Sequence, residues 1–190
     1  MQSGNLLIDA FFKEANWRYG LPEDWFSTTA RQMWTDTQGP SQSHQLNPYW
    51  LCLFFSILAC APQPPEVSTP NARLPNTFDS DTYYICASAA RRIAEDNYFA
   101  SSNTSSGLGA SHSSPTDGCV FGCLAIPLLC DFLAERGRVS EAWKLIGDGV
   151  RTAQSIGLHR EPGGPSWQEM PEEEMILRRR AWWGLYIWDR

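Results

Sequence analysis

Residues 119–157, "CVFGCLAIPLLCDFLAERGRVSEAWKLIGDGVRTAQSIG", hold the pattern from which the fold can be read. The first part is strongly apolar, and its run closes at Gly137, a residue suited to the left-handed turn after a helix. Ser140 is then the expected cap of a second helix. In that helix Ala142, Ile146, Ala153 and Ile156 recur at helical spacing, extended by Trp143 and Val150, and the pattern ends at Gly157. Two closely joined helices are expected.

Moving outward, "MILRRRAWWGLYIWDR" (175–190) gives another helix, opened by Pro171 and Glu172 to Glu174 in a first turn that favours acids. Met175, Trp182, Tyr186 and Asp189 share one face, Ile176, Trp183 and Ile187 a second, Leu177, Ala181, Gly184 and Trp188 a third. Such a helix, apolar nearly all round, is expected inside a bundle with Trp183 as a structural anchor. Upstream, "YWLCLFFSILACA" (49–61) is shorter than the ~18–20 residues that span a bilayer, so it reads as a core helix. "TYYICASAARRIAED" (82–96) is a moderate helix. Leu6, Leu7, Ala10, Phe11, Phe12 and Trp17 imply one or two short helices before residue 35, broken at "GLPED". Residues 62–81 and 101–118, rich in Pro, Ser, Thr, Asn and Gly, read as flexible insertions. No segment alternates like a strand. The expected fold is all-α, an irregular multi-helix bundle.

Lys and Arg number 15 against 21 Asp and Glu, a net charge of -6, and an acidic chain repels phosphate. The arginines 178–180 fan over about 200° at helical pitch, so they do not form one nucleic-acid face. No secretory signal opens the chain. The six cysteines (52, 60, 86, 119, 123 and 130) lie in apolar helical stretches, as expected of reduced thiols in cytosol or nucleus. Cys119, Cys123 and Cys130 share one helix face. His112 lies upstream, but a zinc site draws on two short ligand pairs and no second pair exists. A cysteine nucleophile would need His44, His112 or His159 as base. The first two sit in polar loops, and His159 follows a helix C-terminus, where an imidazole has a structural role. Phosphate-binding and hydrolase motifs are absent. No catalytic, cofactor or metal residue is assigned, and a helical interaction scaffold stands as the alternative, ahead of a small enzyme using Cys119 or Cys123 with His112 or His159.

"AWKLIGDGVRTAQSIGLHREP", a short loop and "RRRAWWGLYIWDR" together resemble the fungal-specific transcription factor domain, the middle homology region of fungal zinc-cluster regulators. The motif residues are Gly157, Leu158, His159 and Arg160, then Arg178, Arg179, Arg180, Trp182, Trp183, Asp189 and Arg190. "LLIDAFFKEANWRYGL" and "NPYWLCLFFSILACA" resemble the family's opening segment and first core helix, so the likeness covers essentially the whole chain. The resemblance implies a nuclear regulatory domain that meets DNA only through a zinc-cluster module, acts with transcriptional machinery or co-regulators, responds to a small-molecule effector and has no membrane role. Relatives carry their zinc in an N-terminal six-cysteine cluster with Cys-x2-Cys spacing; no cysteines here have that spacing, so no cofactor is assigned to this chain. Where relatives often place a Glu two residues before the first arginine, this chain has Ile176. Glu174 and Arg178 therefore read as an i,i+4 surface pair rather than the family's buried one. Because the family's domain continues past Asp189 and Arg190, the chain is expected to be an N-terminal part of a larger helical domain.

Overall fold

A computed structural model describes residues 2–36, 46–62, 79–104, 119–160 and 170–190. Among them are seven α-helices and no strand: α1 (Gln2–Ala10), α2 (Glu23–Asp36), α3 (Pro48–Cys60), α4 (Ser80–Thr104), α5 (Cys119–Glu135), α6 (Val139–Ser155) and α7 (Glu172–Asp189). A wide turn over Phe11–Ala15 and a tight one over Asn16–Arg18 prolong α1. The all-α architecture read from the sequence is the observed one.

The helix α5 is central because it is apolar on every side. Each residue from Cys119 to Cys130 is buried, with α3, α6 and α7 packed around it and α4 laid against α3. Glycines set the closest approaches. A Cβ on Gly122 would lie 2.7 Å from the Tyr49 ring of α3, and one on Gly149 of α6 would lie 2.7 Å from Ile126 and 2.8 Å from Leu185. Gly149 therefore stands where α5, α6 and α7 meet. At the other end of the bundle Trp25 and Phe26 of α2, Trp50 and Phe54 of α3 and Phe121 of α5 form an aromatic cluster, with Phe26 and Trp50 centroids 5.1 Å apart.

Local chemistry ends the helices as the sequence implies. The Asn47 side chain accepts from the backbone N–H of Tyr49 (2.9 Å) and Trp50, and Pro48 occupies the first turn of α3. Gly137, at φ 71°, donates to Ala134, and Arg138 donates to Leu133 at 2.9 Å, the paired bonds of a left-handed helix stop. At Gly157, φ 77°, the same pair recurs to Gln154 and Ala153.

Several expectations are corrected. The helix α6 starts one residue before Ser140, with Arg138 at the cap position and no side-chain cap, because the tight turn at Gly137 leaves no room for a longer lead-in. Trp143 is not part of the buried stripe: it is 65% exposed, its position falling on the solvent side of Ala142 and Ile146. Leu6 and Trp17 are likewise exposed, while Leu7 and Phe11 fill the core. The helix α4 begins at Ser80 and runs to Thr104, longer than 82–96 at both ends. What remains of the two proposed insertions, 63–78 and 105–118, lies outside the described residues, as do His44 and His112.

Candidate functional site: the junction of α6 and α7

The motif residues meet where the end of α6 faces α7. After Gly157 turns the chain, Leu158 is driven into the core at 4% exposure and its N–H is held by Ala153, while His159 and Arg160 stay outside. The His159 ring lies 5.9 Å from the Trp182 ring of α7, so the histidine packs on an aromatic face. The geometry gives His159 a docking contact on α7.

One arc of α7 faces α5 and α6. Glu174, Leu177, Arg178, Ala181 and Leu185 are buried and Trp188 is packed against the core, all within about 100° at helical pitch. Gly184 sits beside this arc, and a Cβ there would lie 3.3 Å from Pro127 of α5. The opposite arc carries Ile176, Trp183 and Ile187, which are 39%, 56% and 71% exposed. The expectation that Trp183 anchors the core is therefore overturned. With apolar residues on both arcs, the sequence pattern did not distinguish them; the packing against Gly149 and Pro127 does. The three arginines separate as the helical pitch requires. Arg178 is buried, Arg179 is exposed, and Arg180, though largely exposed, rests its guanidinium on the backbone of Gly20, where a Cβ would collide. Arg190 lies over the Tyr186 ring at 4.8 Å, and Asp189 is exposed.

The reading of Glu174 and Arg178 as a surface pair is also overturned. Arg178 Nε donates to Glu174 Oε1 at 2.9 Å, with side-chain exposures of 7% and 10%. The chain thus forms a buried ion pair although Ile176 stands at the position where relatives often carry the acid. Glu174, one turn before Arg178, supplies the carboxylate from within the same helix. The sequence contained this signal in the i,i+4 spacing. What it lacked was the direction of that face. A charge-assisted bond in a place with little water is strong, and breaking it leaves one ion uncompensated.

Cys52, Cys119, Cys123 and Cys130 are buried, Cys60 and Cys86 half-buried. Cys52, Cys123 and Cys130 are at most 1% exposed, and burial pushes these thiols and that of Cys60 up to about 12. The Cys60 thiol donates to the Leu128 carbonyl at 3.2 Å, and that of Cys130 to the Ala142 carbonyl at 3.5 Å, each joining α5 to a neighbouring helix. Kept protonated by burial, these thiols are poor nucleophiles. Among the described residues no group of three His, Cys, Asp or Glu side chains is placed to hold a metal ion. No described helix is long and apolar enough to cross a membrane. Near the start of the chain the Tyr19 hydroxyl donates to Asp131, and burial, the first cause, with that bond raises the phenol well above its ordinary value.

A segment of 47 residues, 25% of the chain, is 45% identical to an aurofusarin cluster transcription factor of Gibberella zeae and spans 7% of that relative's length. No solved structure gives a significant match. The family model of the fungal specific transcription factor domain matches residues 11–190, from the turn after α1 through the whole of α7. The helical body around α5, with the α6–α7 junction as its most distinctive feature, thus belongs to the fungal specific transcription factor domain family.

Proposed function

We propose that this chain is the regulatory, middle homology part of a nuclear transcription factor that controls transcription by RNA polymerase II. In this reading, base-specific contact with DNA belongs to a zinc-cluster module outside these residues, and the helical body works through co-regulators or the transcriptional machinery. The observation that carries it is the family match across residues 11–190. Two further features support it. The net charge of -6 disfavours direct contact with phosphates. The six cysteines are free thiols, four of them buried.

Chromatin immunoprecipitation of the protein in its fungus tests the reading. It should be found at discrete promoters, and deletion of its gene should change the transcripts they drive. Purified residues 1–190 should show only weak, non-specific binding to duplex DNA by gel shift at physiological salt. Absence from chromatin would sink the transcriptional reading. A tight, sequence-specific complex with the purified chain would instead place the DNA-reading surface within these helices.

A further inference from the structure

The helices α4 and α6 stand apart over the outer side of α5 and leave a groove of about 610 Å³. It has no part in the α6–α7 junction. Its floor includes Leu129 and Leu133 of α5 and Leu145 of α6, all buried and apolar. On α4 the wall includes the small side chains of Ser88 and Ala89, which is why space remains there. Each end is closed by a fixed arginine. At one end Arg138 lies 5.2 Å over the Tyr84 ring, which is itself stacked on Phe132 at 4.6 Å. At the other, Arg91 bonds Glu95 at 2.7 Å and approaches Asp148 of α6 at 3.9 Å, tying the two walls together. From Tyr84 to Arg92 along α4 the groove is about 12 Å long at helical rise.

The charges are not balanced. Four cations and two carboxylates line the groove, on a chain that is acidic as a whole. Arg138 is held by Glu141 through bonds of 2.7 and 2.6 Å, and Asp148 by Arg151. Among the described residues Arg92 on α4 forms no salt bridge, and Lys144 on α6 forms none either, although after Arg138 it helps to hold the Glu141 carboxyl low. The aromatic and apolar wall at Tyr84 and Ile85, with an excess of two cations, suits an amphipathic anion, and the volume is that of an ordinary small-molecule site. An apolar body would cover Tyr84, Ile85 and Ala89 while its anionic group met Arg92 and Lys144.

We propose that this groove binds an amphipathic small molecule, an apolar or aromatic body carrying a carboxylate or sulfonate, with Arg92 and Lys144 receiving the anion. The site stands on its own geometry and does not depend on the transcriptional reading.

The test uses the whole chain and the anionic fluorophore anilinonaphthalenesulfonate, with uncharged N-phenylnaphthylamine as its neutral counterpart. One saturable site is expected for the anion, with the neutral probe about tenfold weaker. The double change Arg92→Gln with Lys144→Gln should weaken the anion about tenfold while leaving the neutral probe nearly unaffected, with circular dichroism checking the fold. Ala89→Trp, which fills the space, should weaken both probes. Trp183→Ala, on the exposed arc of α7, should change neither. The proposal is overturned if the wild-type chain shows no saturable site. It is equally overturned if the paired glutamine variant binds the anion as well as wild type, or if Trp183→Ala abolishes binding and so moves it to α7.

Discussion

Removing Arg178 should cost more than removing any other arginine of the "RRR" run. With side chains 7% and 10% exposed and 2.9 Å between their charged groups, Arg178→Ala strands the Glu174 carboxylate against Leu177 and Ala181. Taking one partner from a buried ion pair typically costs about 3–5 kcal/mol, most of it the desolvation of the ion left behind. The neighbouring Arg179 is exposed, so Arg179→Ala should stay within about 0.5 kcal/mol of wild type. Replacing both partners, Glu174→Leu with Arg178→Met, leaves no charge stranded and should restore most of the lost stability or exceed it. Urea unfolding of wild type, Glu174→Leu, Arg178→Met and their double variant, followed by tryptophan fluorescence and circular dichroism together, gives the double-mutant coupling, expected above about 1 kcal/mol. Because water and salt reach the pair poorly, the coupling should persist at high ionic strength. An Arg178→Ala cost within about 1 kcal/mol of that for Arg179→Ala, with coupling that salt abolishes, would show that the pair is solvated and the packing of α7 misassigned.

The exposed arc of α7 predicts that Trp183→Ala costs about 1 kcal/mol or less in the same unfolding assay, far below the ~3–5 kcal/mol of a buried tryptophan. Two glycines only two residues apart on α6, and so on nearly opposite sides of it, should behave oppositely. Gly149→Ala should destabilise by about 1–3 kcal/mol, since its Cβ would press on Ile126 and Leu185. Gly147→Ala, meeting only the flexible end of Arg151 at 3.5 Å, should stabilise by about 0.5–1 kcal/mol; equal effects in thermal melts would refute the three-helix crossing. Thiol labelling at pH 8 should leave Cys52, Cys60, Cys123 and Cys130 unmodified in the folded chain, all six reacting once urea unfolds it. The pH dependence follows from the same burial. These thiols ionise near 12 when folded but near their ordinary 9 when unfolded, so their contribution is complete below about pH 9 and lost as pH rises toward 12. Urea midpoints should therefore fall between pH 8 and pH 10.5, and less steeply in Cys123→Ala; an unchanged slope would count against its burial.

Helix existence and the chain reversals were legible in the sequence because both are local. Gly137 and Gly157 mark the ends of α5 and α6 through a backbone conformation that needs no side chain, and Pro171 with three acids marks the start of α7. The apolar runs of α3 and α5 identified core helices for the same reason: a helix without a polar face has nowhere else to go. The Gly-Leu-His-Arg and Arg-Arg-Arg-x-Trp-Trp segments were legible as a pair by their spacing. What the sequence did not contain was the rotation of α7 about its axis. Apolar residues lie on two opposite arcs of that helix, so periodicity alone is equally satisfied by burying Trp183 or by burying Leu177, Ala181 and Leu185. Tertiary contact chooses the second arc, because the small residues Gly149 and Gly184 admit close approach only there. That choice carries Glu174 and Arg178 into the interior and leaves Trp183 in water. The groove between α4 and α6 is of the same kind. Its cations come from positions some fifty residues apart, and only the packing of both helices around α5 brings them face to face.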